Sequence, residues 1–333
     1  MNKTYETIDV AKFVASILVF AMHCNILGGY GQAEIIPQML ARWGVPFFFI
    51  CSAFFLFSKA ENGNIEKEFL KKYISRIAVL YGAWLIFNLP SVCIRLYKSN
   101  ILSLHTWLRF LRNALLSSTF IGSWYLLSSI FSVCFVYALG KKLRTSRILG
   151  ISFIFYLLCV FTSSYSGILP AGFLKGLRFF SFPLNIFNGC FYFALGKYFA
   201  ENIHSIKKRF NKSRSIIAFA LSYLLFIFEE IMTNHFYING GTDVAFSTAL
   251  MAIFLFLFCL QTDINIKNSL LLRKLSIVIY CAQGNVLLLN ELCKIKLSPI
   301  VAFFISACVM ALICAAVLFV QKQKKLKWAK YLT

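Results

Sequence analysis

Long apolar runs recur from one end of this chain to the other, and nothing else in it limits folding so strongly. A helix needs roughly 17–25 residues to cross a bilayer. Ten runs approach that length, at about 8–27, 43–58, 76–97, 124–140, 148–164, 181–199, 215–233, 243–261, 275–291 and 298–320. They predict an all-α, polytopic integral membrane protein with ten transmembrane helices in one domain over residues 1–333. The second and fifth runs are short, and Asn88 and Pro90 interrupt the third. Of the residues, 59% are hydrophobic and 14% charged, against about 45–50% and about 25% in an ordinary soluble domain. A soluble class is excluded.

The net charge is +22. In a soluble chain that surplus points to nucleic acid. In a polytopic one it is topological, because Lys and Arg gather on the cytoplasmic side. With the N-terminus inside, 24 of the 34 basic residues fall on cytoplasmic segments and nine outside, with Lys12 inside the first run. The split predicts both termini in the cytoplasm, a lipid bilayer as surroundings and no nucleic-acid partner. Residues 101–121 carry Arg109 and Arg112 among apolar residues at helical spacing, which predicts a helix lying in the interface. The eleven cysteines lie mostly inside apolar runs, with no CxxC pair, and read as reduced, small core residues. The first run contains Lys12 and no small-residue cleavage pattern follows it, so it is expected to stay as a span.

That first run, IDVAKFVASILVFAMHCN over residues 8–25, holds three ionisable groups: Asp9, Lys12 and His23. Charged groups inside a span are expensive and mark function by default. Eleven residues of α-helix turn about 20° past three full turns and rise about 16 Å. Lys12 and His23 therefore share a face, with Asp9 and Ser16 on the same stripe. The plain alternative has Lys12 snorkelling to the headgroups beside Asp9 while His23 meets the other interface.

The spacing of a basic residue, ten residues and a histidine resembles the opening of the acyltransferase-3 family of membrane acyltransferases. The second run strengthens the likeness, since RWGVPFFFICSA (42–53) follows that family's R-x-x-V-P-x-F-F-x-x-S-G pattern. GSWYLLSSI (122–130), FNGCFYFALGKYF (187–199) and LRKLSIVIYCAQGNV (272–286) resemble it in the right order. There are departures. Ala53 replaces the family's glycine, Gln283 stands where S-x-x-I-Y-x-x-H ends in histidine, and KKYISRI is a thinner basic run than usual. Glutamine hydrogen-bonds but does not titrate near neutrality.

The resemblance implies transfer of an acyl group, usually acetyl, from cytoplasmic acyl-CoA to a hydroxyl of an extracytoplasmic glycan or lipid-linked sugar. It also implies a multi-pass protein of the bacterial plasma membrane. An alcohol needs a base before it attacks, and histidine titrates near neutrality. His23 is the candidate base, the one histidine expected inside a span; His105, His204 and His235 are expected in loops. Lys12 would attract the donor's phosphates, with Lys71, Lys72 and Arg76 at the same surface. Arg42 fits either an acceptor contact or a plain interfacial arginine. Ser52 fits a substrate contact or a helix-packing hydroxyl. Trp124 and Tyr125 fit an aromatic belt or a sugar-stacking surface. Glu229 and Glu230 end the seventh run; they are either solvated or, for Glu230, placed to orient a catalytic imidazole. Arg178 and Gln283 complete the candidate substrate contacts. No metal-ligand spacing, phosphate-binding glycine loop or serine-hydrolase elbow occurs, so neither a metal nor a bound cofactor is expected.

A rival reading is a permease for a small polar solute such as an amino acid, since the chain also resembles the membrane part of some amino-acid racemases. A non-catalytic relative is a third reading, and Gln283 favours it.

Overall fold

A computed structural model describes residues 5–60, 64–98, 103–169, 184–236, 244–323 and 331–333. Among them lie fifteen α-helices and no strand. In order they are α1 (Glu6–His23), α2 (Ile35–Ala41), α3 (Gly44–Phe57), α4 (Lys67–Phe87), α5 (Leu89–Lys98), α6 (Leu104–Leu116), α7 (Ser123–Gly140) and α8 (Thr145–Thr162). There follow α9 (Leu184–Glu201), α10 (Ile203–Arg209), α11 (Lys212–His235), α12 (Phe246–Gln261), α13 (Ser269–Cys281), α14 (Gln283–Lys294) and α15 (Pro299–Lys322).

Five helical stretches are long and apolar enough to cross a membrane: Gly31–Phe57, α7, α8, α11 and α15. The count is seven if each of two bent pairs forms one span: α4 with α5, bent by 66°, and α13 with α14, bent by 59°. Length and composition therefore support five to seven spans. The three remaining runs of the sequence coincide with α1, α9 and α12. Of these, α1 carries Glu6, Asp9 and Lys12, α9 carries Asn188, Lys197 and Glu201, and α12 has only 16 residues.

The chain divides into two compact units that interleave along the sequence. The first comprises residues 1–11, 42–74 and 128–266; the second comprises 12–41, 75–127 and 267–333. In the first unit α3 packs on α9 and α12, α8 on α9, and α11 on α12. Two glycines on one face of α9 make the first of these contacts close. A Cβ at Gly196 would lie 2.5 Å from Ala53 Cβ and 2.6 Å from the Ile50 carbonyl, and one at Gly189 would lie 3.1 Å from the Phe49 ring. Small residues let membrane helices approach in this way. Aromatic rings fill the rest. Phe49 stacks on Tyr192, Phe54 and Phe199 meet Phe256, and the Tyr156 ring lies 4.9 Å from that of Phe191. Seven of the eleven cysteines are buried, in the manner of small core residues.

In the second unit α15 packs on α13 and α14, and α14 packs on α5. Within the stretch expected to lie in the interface, Leu104–Leu116 form α6. Leu104, Trp107, Leu108, Leu111 and Leu115 form one exposed apolar face, while Thr106 on the other side is buried.

Two sequence expectations are corrected. His105 lies in α6, His204 in α10 and His235 in the last turn of α11, so none of the three is in a loop. Glu229 and Glu230 lie more than a turn before the end of α11 and both are buried rather than solvated. Glu229 is the N-terminal cap of α12. Its carboxylate accepts from the Phe246 and Ser247 amides at 2.8 and 2.9 Å, from the Tyr165 hydroxyl at 2.9 Å, and from the Ser247 hydroxyl. The first amides of a helix have no partners within it, and their summed dipoles favour a negative charge there. Burial and the Glu229 hydrogen bond hold the Tyr165 phenol above its ordinary range, so it stays a donor.

Candidate functional site

The polar stripe of α1 lies on that helix's buried side. Ile8, Asp9, Ser16, Val19 and Phe20 are buried, whereas Val14 and Ile17, on the opposite side, are exposed. Asp9 is only 1% exposed and Ser16 is fully buried, its hydroxyl donating to the Phe13 carbonyl at 2.7 Å. Lys12 is half-buried and His23, the last residue of the helix, is exposed. Charges inside a membrane require a polar side turned to protein, and the buried Asp9 and Ser16 are consistent with that requirement.

The two bent pairs of the second unit meet at their breaks. Breaking a helix frees carbonyls at the end of the first half and amides at the start of the second. Inside a membrane such groups must find partners within the protein. Each break here is satisfied by an asparagine of the other. Asn88, between α4 and α5, donates to the Trp84 and Cys281 carbonyls at 2.8 and 2.9 Å, and its Oδ1 accepts from the Asn285 amide at 3.3 Å. Asn285, in the first turn of α14, donates to the Phe87 carbonyl at 2.6 Å and accepts from the Ser91 amide at 3.1 Å. Gly284 lets the breaks meet, since a Cβ there would stand 2.5 Å from Asn88 Oδ1 and 2.9 Å from Ser91 Oγ. Pro90, in the first turn of α5, brings no amide that needs a partner.

Gln283 follows the second break directly. It is 1% exposed, and neither its Oε1 nor its Nε2 has a hydrogen-bond partner. Tyr280, at the end of α13, meets Tyr125 edge-on at 5.6 Å between ring centres. Gly122, just before α7, has φ +85°, and a Cβ there would lie 3.0 Å from the Tyr280 ring. The start of α7, with half-buried Trp124 and Tyr125, thus stands beside the same break.

Within the second unit, then, tertiary contacts bring Tyr125 together with the segment that carries Gln283. That unit also contains Lys12, His23 and Arg76. Arg42, Ser52, Lys72 and Glu230 belong to the first unit. There Arg42 precedes α3 half-buried, Ser52 is half-buried within α3, and Glu230 is 1% exposed. Lys71, Lys72 and Arg76 are exposed along α4. Arg178 lies outside the described residues.

Two features escaped the sequence reading. One is the asparagine clasp; its only signal was that Asn88 and Pro90 interrupted an apolar run. The other is Lys197 on α9, 1% exposed, 3.2 Å from Glu201 and with Nζ 5.0 Å from the centre of the Phe57 ring. Thr145 donates to the same Glu201 oxygen at 2.9 Å. Lys197 sits in the quoted aromatic stretch, but a lysine at the end of an apolar run reads as topology.

Comparison with known proteins agrees with the resemblance. A protein of Enterococcus faecalis named amino-acid racemase is 28% identical over 236 residues. The match covers 68% of this chain and 32% of the relative, so the chain spans about a third of that protein's length. No solved structure matches significantly. The acyltransferase-3 family model, described as an acyltransferase domain, matches residues 5–320, nearly the whole chain, and this membrane protein therefore belongs to that family of acyltransferases.

Proposed function

We propose that the protein transfers an acetyl-class acyl group from cytoplasmic acyl-CoA to a hydroxyl of a glycan or lipid-linked sugar outside a bacterial plasma membrane. The observation that carries this reading is α1: one unbroken helix with Lys12 and His23 about 16 Å apart along one face, the face on which Asp9 and Ser16 are buried. Acyl-CoA is an extended donor whose phosphates and thioester are separated by the pantetheine arm. A cation at one end of a span and a base at the other match that geometry. His23 accepts the proton of the acceptor hydroxyl as its oxygen attacks the thioester carbon. The new C–O bond forms, the C–S bond breaks, and the proton passes to the departing CoA thiolate.

Lys12 holds donor phosphate, with Lys72 and Arg76 drawing the polyanion to the surface. Within the second unit, Trp124 and Tyr125 contact the acceptor, with Gln283 as a neutral partner.

The test is acetyl transfer by His23→Gln. Removing a general base costs about 10²–10⁴-fold in rate, so the variant should insert normally and lose transfer by that factor. A near wild-type rate would make His23 structural. Lys12→Ala should weaken donor binding in a salt-dependent way, and Lys12→Arg should restore it.

One observation favours the permease reading, because broken helices build the solute sites of many transporters. There, however, the free helix ends face the ion or solute. Here the clasp occupies four of those backbone groups.

A further inference from the structure

The crossing of the two broken helices satisfies its own backbone and leaves one polar side chain over. Asn88 and Asn285 use both their oxygens and both their nitrogens on freed backbone groups. Gln283, two residues from Asn285 in that network, keeps both amide atoms buried and without partners. Burying such a group unpaired is destabilising, a cost that an apolar residue would avoid.

We infer that this crossing is a ligand site for an uncharged hydroxylic group, in which the Gln283 amide reads a pair of adjacent hydroxyls such as a sugar ring presents. A carboxamide offers one acceptor and one donor side by side. Two neighbouring hydroxyls return one donor and one acceptor at a similar spacing. A carboxylate answers only the amide nitrogen, and an ammonium only the oxygen.

The surroundings point the same way. Asn88, Ser91, Tyr125, Tyr280, Gln283 and Asn285, which make up the crossing and its edge, are all uncharged. The helix ends that draw ions in broken-helix sites are capped by the asparagines. Tyr125, in edge contact with Tyr280, adds an aromatic side chain suited to the apolar face of a sugar. The assignment rests on the acyltransferase reading with a glycan acceptor, and it places that acceptor's non-reacting hydroxyls.

The experiment uses the full chain in detergent, with Gln283→Leu and Gln283→His. The probes are a panel of methyl glycopyranosides, with L-serine as the zwitterionic competitor. Without ligand, Gln283→Leu should raise Tm by roughly 2–4 °C, because an orphan amide is replaced by apolar volume. A glycoside should raise the Tm of wild type and of Gln283→His, which keeps a donor and an acceptor, but not that of Gln283→Leu. In transfer assays Gln283→Leu should raise the KM for that glycoside about ten-fold or more and leave the acetyl-CoA KM unchanged.

A Gln283→Leu protein that is less stable or unfolded makes the amide structural and overturns the proposal. So does L-serine stabilising the protein in a Gln283-dependent way, or the absence of any glycoside shift in wild type. If wild type shows the glycoside shift but transfers no acetyl group to any acceptor, the acyltransferase reading fails and the binding site stands.

Discussion

The seam between α3 and α9 and the crossing of α4–α5 with α13–α14 both depend on glycine, and they treat the backbone in opposite ways. At the seam both helices are continuous, so their peptide groups bond within each helix and only side-chain volume must fit. Gly189 and Gly196 make room, and phenylalanine and tyrosine rings fill what is left. At the crossing the helices are broken, and four freed backbone groups need partners, which Asn88 and Asn285 supply. A seam of the first kind tolerates only small changes of shape. One of the second kind tolerates only small changes of hydrogen bonding, and it is the kind that accommodates a further buried amide such as that of Gln283.

The largest stability effect should come from the crossing. Asn88→Leu keeps most of the volume but orphans the Cys281 carbonyl and the Asn285 amide, at about 1–3 kcal/mol each. A loss of about 2–6 kcal/mol in reversible unfolding is expected, with strong coupling to Asn285→Leu in a double-mutant cycle. A loss below about 1 kcal/mol would mean that the clasp is not what holds the breaks together.

At the seam, Gly196→Ala should cost about 1–3 kcal/mol by overpacking, because the new methyl meets the Ala53 methyl and the Ile50 backbone. Gly189→Ala should cost less, since its nearest neighbours are the hydroxyl ends of Ser128 and Ser132, which can rotate away. Equal costs would show that the seam yields at both points alike.

A third effect should be that of Glu229→Gln. Its one amide oxygen still accepts from part of the start of α12, but its NH2 group faces the donors that bonded to the other carboxylate oxygen and the charge facing the helix dipole is lost, at about 1–3 kcal/mol. Transfer per folded molecule should not change. A hundred-fold loss of rate would move Glu229 from cap to catalytic group.

Helix geometry alone puts Lys12 and His23 on one face of α1; on that face Asp9 and Ser16 are buried and His23 is exposed. Local pattern left Glu229 and Glu230 either solvated or, for Glu230, beside an imidazole, and burial of both excludes the first. The run is longer than its hydropathy suggests, because α11 continues to His235. The fold of Glu229 onto the start of another helix leaves no local trace. The same is true of Asn88 and Asn285, which meet across 197 positions of sequence.

Apolar periodicity and the cost of bare backbone in lipid determine, from sequence alone, that this chain is helical and membrane-embedded, and the motif spacing determines its family. These are properties of one residue and its near neighbours, summed along the chain. Tertiary structure alone decided which polar residues are spent on the protein's own backbone and which remain for a ligand. Hydrogen-bond satisfaction belongs to pairs of groups, and the pairs form only when distant segments meet. Asn88 and Gln283 are alike as uncharged amides inside apolar runs, yet one is fully used and the other is not.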